Sequence, residues 1–133
     1  MDRATDCGAA SLYIVCKLAG REVPLAQLRT MTKTSAMGTS MFNLKEAAEL
    51  LGFEVEACRC PFNALRKHVS RPHRYAILYL EIGHFVAVVQ PIGTDAVRVL
   101  ETSSGILELS ERAFRDQYLW KGSCLLITDS RQD

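Results

Sequence analysis

No part of the sequence approaches the ~18 consecutive apolar residues that cross a bilayer as a helix, and residues 1–6 lack the apolar core of a secretion signal. Direct membrane insertion by this chain is not expected. Neither charge is in excess: 16 Lys and Arg stand against 15 Asp and Glu, with the signs interspersed. No basic surface for nucleic acid or anionic lipid is therefore expected. Five cysteines do not make the even framework that staples small secreted domains, so a reduced form in a reducing, cytoplasmic compartment is expected. Cys58-x-Cys60 is spaced too closely for the usual zinc knuckle, and no second Cys or His pair stands nearby at ligand spacing. Neither a metal nor another cofactor is expected. Internal repeats, linkers and low-complexity tracts are missing as well.

What remains has the size and apolar content of one globular domain: 133 residues, 48% hydrophobic. The reading is a single domain over 1–129 with a frayed tail at 130–133. Ala9, Leu12, Tyr13, Cys16 and Ala19 recur at helical spacing between Asp6, a good N-cap, and Gly20, a stop, so a helix is expected over 7–19. Pro24 opens a short second helix, and the polar stretch 32–39 after it reads as a mobile loop. Ser40 caps a third helix with Met41, Leu44, Ala47, Ala48 and Leu51 on one face. Phe53, Val55 and Ala57 alternate as in a strand, and a further helix follows Pro61. From Pro72 onward, apolar and β-branched runs separated by turns predict strands, with one amphipathic helix after Ser110. Helices first and a mainly antiparallel sheet afterwards define an α+β domain.

Cys7 opens the first helix of this reading, where free backbone N–H groups and the helix dipole favour the nucleophilic thiolate. A cysteine nucleophile needs a base from elsewhere in the fold. Of the three histidines, His68 and His73 lie in a basic, turn-rich stretch that reads as solvated surface, whereas His84 follows Gly83 and opens the apolar strand Phe85-Val86-Ala87-Val88-Val89. If the next hairpin folds symmetrically about Pro91–Asp95, Glu101 lies directly opposite His84 and can orient its ring. A bulge in the long turn would break that register.

The ordered series Asp6-Cys7-Gly8-Ala9-Ala10-Ser11-Leu12, Leu28-Arg29, Gly38-Thr39-Ser40, Leu51-Gly52-Phe53, Gly83-His84-Phe85-Val86, Val99-Leu100-Glu101 and Trp120-Lys121-Gly122 resembles the C39 peptidases over nearly the whole chain. The resemblance implies a papain-like fold with the nucleophile at a helix N-terminus. It also implies a cysteine peptidase that clips a leader peptide after a double glycine, with Cys7 as nucleophile, His84 as general base and acid, and Glu101 as orienter. The implied partners are a leader-bearing peptide or protein substrate and a membrane exporter, fused or associated, on whose cytoplasmic side the domain would work. The chain departs from the pattern at two places. Glu101-Thr102 stands where the family has Asp-Pro, and Met1 stands where it has an oxyanion-stabilising glutamine six residues before the cysteine. A beginning so close to the nucleophile is abrupt for such an enzyme, so upstream sequence is expected. The alternative is a peptidase-like module that grips an export substrate, or regulates a neighbouring domain, without chemistry.

Overall fold

In the computed structural model, which describes residues 3–93, 95–101 and 105–132, one six-stranded antiparallel sheet carries helices on both faces. Met1 and Thr102, the two points of departure from the family pattern, lie outside the described residues. Three helices come first: α1 (Arg3–Leu18), α2 (Leu25–Met31) and α3 (Met41–Leu50). They are followed by β1 (Glu54–Arg59), α4 (Phe62–Val69), β2 (Arg74–Leu80), β3 (His84–Ile92), β4 (Ala96–Glu101), β5 (Gly105–Ser110), α5 (Glu111–Asp116) and β6 (Trp120–Thr128). The strand order is β1-β6-β2-β3-β4-β5, so the last strand is inserted between the first two.

Local chemistry accounts for most boundaries. Ser40 accepts a hydrogen bond from the Asn43 N–H, and Ser110 one from the Ala113 N–H, which satisfies donors that a helix start otherwise leaves free. Pro24 and Pro61 occupy the N-cap positions of α2 and α4. The strand period of two then divides the apolar residues between two cores. Tyr75, Ile77, Phe85, Ala87, Leu125 and Ile127 pack under α1–α3, while Ala76, Leu78, Val86, Val88, Val97 and Val99 pack under α4 and α5. Helix α1 is the central piece of the first core: Ala9, Leu12, Val15 and Cys16 are fully buried, and the helix runs across β3.

Two expectations need correction. The first helix starts at Arg3, so Asp6 is not its cap but lies in its first turn, where its carboxylate takes a 2.9 Å ion pair from Arg29 of α2. Cys7 follows at the end of that turn, one turn inside the terminus. The stretch 32–39 is a tied turn. Thr32 is fully buried with its hydroxyl donating to the Leu28 carbonyl at 2.8 Å, and Ser35 and Gly38 exchange backbone hydrogen bonds of 3.0 and 2.9 Å. Beyond β6, Ser130–Gln132 forms a 3-10 turn in which Arg131 bonds the Asp129 carboxylate.

Candidate active site

Helix α1 meets the start of β3 at Cys7. The residue is 4% exposed as part of the buried core, and the backbone N–H of Phe85 donates to its sulfur at 3.3 Å. The close approach depends on Gly8: a Cβ there would stand 2.5 Å from Thr39 Cγ2 and 3.4 Å from both Leu44 Cδ1 and Phe85 Cδ2. Gly83, in the left-handed region at φ +92°, turns the chain from β2 into β3 and delivers His84 to the sulfur.

His84 lies between two partners. Its ring hydrogen-bonds the Cys7 sulfur, and its Nε2 hydrogen-bonds Glu101 Oε1. The bond to Cys7 is the largest influence on the ring; burial opposes it and Glu101 adds to it, and together they push the His84 pKa up to about 9. The ring is thus held as an imidazolium at neutral pH. Glu101 is only 6% exposed, so little water screens its charge from that ring.

The hairpin register differs from the symmetric one. Ala87 faces Leu100 and Val88 faces Val99, with an irregularity between Val88 and Gln90, so Glu101 comes opposite Val86 when this pairing is continued, rather than opposite His84. The strands run on to Ile92 and restart at Ala96, which moves the turn outward, and the bulge takes one residue back. The net slip of two residues keeps His84 and Glu101 on one side of the ladder as diagonal neighbours, within reach of long side chains.

A cleft of about 130 Å³ opens beside the sulfur, lined by Cys7, Gly8, Gly38, Thr39, Tyr79 and Gly83 among others. Three glycines in the wall leave room for an extended peptide backbone.

The other titratable groups fall elsewhere. His68 is not solvated surface: its Nε2 lies 3.1 Å from both the Tyr75 and the Ile127 carbonyl oxygens, and burial holds its pKa below the ordinary value. Cys58, Cys60 and Cys124 converge on the opposite face of the sheet, with Cys60–Cys124 and Cys58–Cys124 sulfur separations of 3.3 and 3.7 Å. The hydrogen bond from Cys124 pulls the Cys60 thiol down to about 7, while the same contact and burial push Cys124 up. This cluster escaped the sequence reading because Cys124 reaches the others only through the β1–β6 pairing, which sets Cys58 opposite it.

A cysteine on a helix that crosses an antiparallel sheet, beside a histidine that hydrogen-bonds a buried carboxylate, is an arrangement that can support nucleophilic cysteine chemistry. The family comparison is in accord. The model of the peptidase C39 family matches residues 2–132, and the chain belongs to that family of cysteine peptidases. Among relatives, the lactococcin-A transport/processing ATP-binding protein LcnC of Lactococcus lactis subsp. lactis is 30% identical over 92% of this chain and 17% of its own length. The transport/processing ATP-binding protein ComA of Streptococcus pneumoniae is 43% identical over 94% of this chain and 18% of its own. The chain thus spans less than a fifth of these relatives. Among solved structures, a double glycine motif protease from an AMS/PCAT transporter, in complex with the leader peptide, superposes with a TM-score of 0.78 at 27% identity, covering 92% of this chain and 83% of that one. The peptidase domain of Streptococcus ComA shares the fold at a TM-score of 0.79 and 23% identity, over 96% of this chain and 93% of that one.

Proposed function

We propose that this chain cleaves a leader peptide after a small-residue, double-glycine site, acting as the cytoplasmic processing domain of a membrane exporter. The observation that carries this reading is the hydrogen-bonded line Cys7–His84–Glu101 at a glycine-walled cleft. In the first half-reaction the Cys7 sulfur attacks the scissile carbonyl carbon, its proton resides on His84, and the imidazolium gives that proton to the leaving amine as the C–N bond breaks. The leader is left as a thioester on Cys7. In the second, His84 takes a proton from water, the hydroxyl adds to the thioester carbonyl, and the sulfur leaves with the proton returned through the ring. Glu101 holds the ring in position and stabilises its charged form in both. The small volume of the cleft beside the sulfur, about 130 Å³, supports small residues at the cleavage point.

Incubating the chain with a synthetic double-glycine leader peptide and reading the products by mass spectrometry tests the proposal. One cut after the second glycine is expected, with none by Cys7→Ala. Binding of the peptide at unchanged affinity by both proteins, without a cut by either, would instead make the chain a binding module.

A further inference from the structure

On the face of the sheet away from Cys7, edge strand β1 and its neighbour β6 bring three sulfurs together. We propose that Cys58, Cys60 and Cys124 form a binding site for one thiophilic divalent cation, zinc by preference. The geometry is close to what the ion requires. Zinc bonded at ~2.3 Å to sulfurs at tetrahedral corners holds them ~3.8 Å apart; here two of the separations are 3.7 and 3.3 Å, and all three sulfurs lie within 4.8 Å of one another. Spreading the shorter separation by about half an ångström brings it to that value. That spreading is easy because β1 is at the sheet edge and ends at Arg59, so that Cys60 lies just past it. The antiparallel register supplies the arrangement: Cys58 faces Cys124 directly, and Cys60, one residue beyond β1 with its N–H bonded to the Gly122 carbonyl at 3.1 Å, continues the period of two onto the same side.

Access and charge agree with this assignment. Cys124 is fully buried and fixes the floor of the site, whereas Cys58 and Cys60 are half-buried and leave a way in from solvent. The Glu56 charge bears on both of them, which is unfavourable for extra thiolates alone and favourable beside a cation. Among the described residues no fourth Cys, His, Asp or Glu atom joins this group, so the fourth corner is left to water. Binding exchanges three thiol protons for the metal: Zn²⁺ and three S–H groups give a tris-thiolate zinc aquo complex of net charge −1 and three H⁺. Three converging sulfurs, rather than two, set this apart from a simple disulfide pair.

Cobalt(II) titration of the reduced, metal-free chain provides the test, because thiolate ligation gives charge-transfer absorption in the near ultraviolet and tetrahedral geometry gives intense visible bands. One cobalt per chain with both signatures is expected, bleached by zinc. Cys7→Ala should keep the spectrum, excluding the Cys7–His84 pair as its source. Cys58→Ala and Cys60→Ala, each checked for native circular dichroism, should weaken affinity by more than the ten- to hundredfold that loss of an outer-sphere partner costs. Failure of the reduced wild-type chain to develop the charge-transfer band overturns the proposal, as does a band that survives in Cys58→Ala and Cys60→Ala but disappears in Cys7→Ala.

Discussion

Replacing Glu101 by Gln removes one charge and almost no volume, so it isolates what the carboxylate does for His84. Gln can still accept from the Nε2–H through its amide oxygen, so the ring keeps its place while the charge beside it is lost. A hydrogen bond to a charged group contributes about 1.5–3 kcal/mol, and Glu101 is only 6% exposed, so solvent screening takes little of it away. At 1.36 kcal/mol per tenfold, proton binding by His84 should weaken by about ten- to hundredfold from its midpoint of about 9. With three histidines in the chain, the ring can be followed by NMR over a pH series, in the wild-type and in Cys7→Ala backgrounds. The sulfur is the larger influence on the ring, so Cys7→Ala alone should also lower the midpoint, and the double variant should come nearest to an ordinary histidine. The stability sign follows from the direction. A ring whose folded pKa lies above its ordinary value contributes fully below pH ~6.5 and loses that contribution as pH rises through about 9. Glu101→Gln should therefore cost stability in urea at pH 6 and much less at pH 10. An unchanged His84 midpoint in the correctly folded variant would refute the electrostatic role of Glu101. Turnover should fall much less in Glu101→Gln than in Cys7→Ala, because the orienter assists the base whereas the nucleophile forms the covalent bond.

The peptide-cleavage rate should decline above pH ~9, as the imidazolium that protonates the leaving amine is titrated; a rate still rising at pH 10 would exclude His84 as the acid. Gly8→Ala should destabilise the fold by about 1–3 kcal/mol and slow cleavage, because its methyl would meet Thr39 Cγ2; adding Thr39→Ser, which deletes that carbon and keeps the hydroxyl, should restore both, and no rescue would disprove the contact. Asp129→Ala should cost about 3–5 kcal/mol in urea denaturation, since it strips the 2.8 Å partner from buried Arg21, whereas replacing both by apolar residues should cost far less; equal losses would show that packing, not charge, dominates. Iodoacetamide should modify Cys7 well before Cys16, which is fully buried with its pKa pushed up to about 11, and comparable rates would contradict an activated Cys7.

The elements legible in the sequence are those whose ends are set by chemistry within a few residues. The Ser40 and Ser110 caps and the prolines before α2 and α4 act locally, so they can be read without knowing the fold. Asp6 looked like the same kind of signal and is not. Its carboxylate pairs with Arg29, 23 positions away, and that partner has no trace in the spacing around Cys7. The 32–39 stretch misled for a related reason: its threonines and serines satisfy one another and the end of α2, so polarity there signals a tied turn rather than solvation.

The site divides along the same line. Cys7 and His84 stand out from local patterns, a cysteine near the start of an apolar helix, which the structure places one turn further in, and a histidine that follows Gly83 at the head of an apolar strand. Glu101 was found from a register that is two residues off, and the contact survives because strand side chains alternate with a period of two: an even slip exchanges a direct neighbour for a diagonal one on the same face. A slip of one would have placed Glu101 on the other side of the sheet from the ring. No comparable rule was available for Cys58, Cys60 and Cys124, which lie 64 and 66 positions apart and meet only because β6 enters the sheet between β1 and β2. A period-two pattern places Cys58 and Cys60 on one face of a strand, but which strand faces them is decided by topology, and topology depends on how the whole chain buries its two cores.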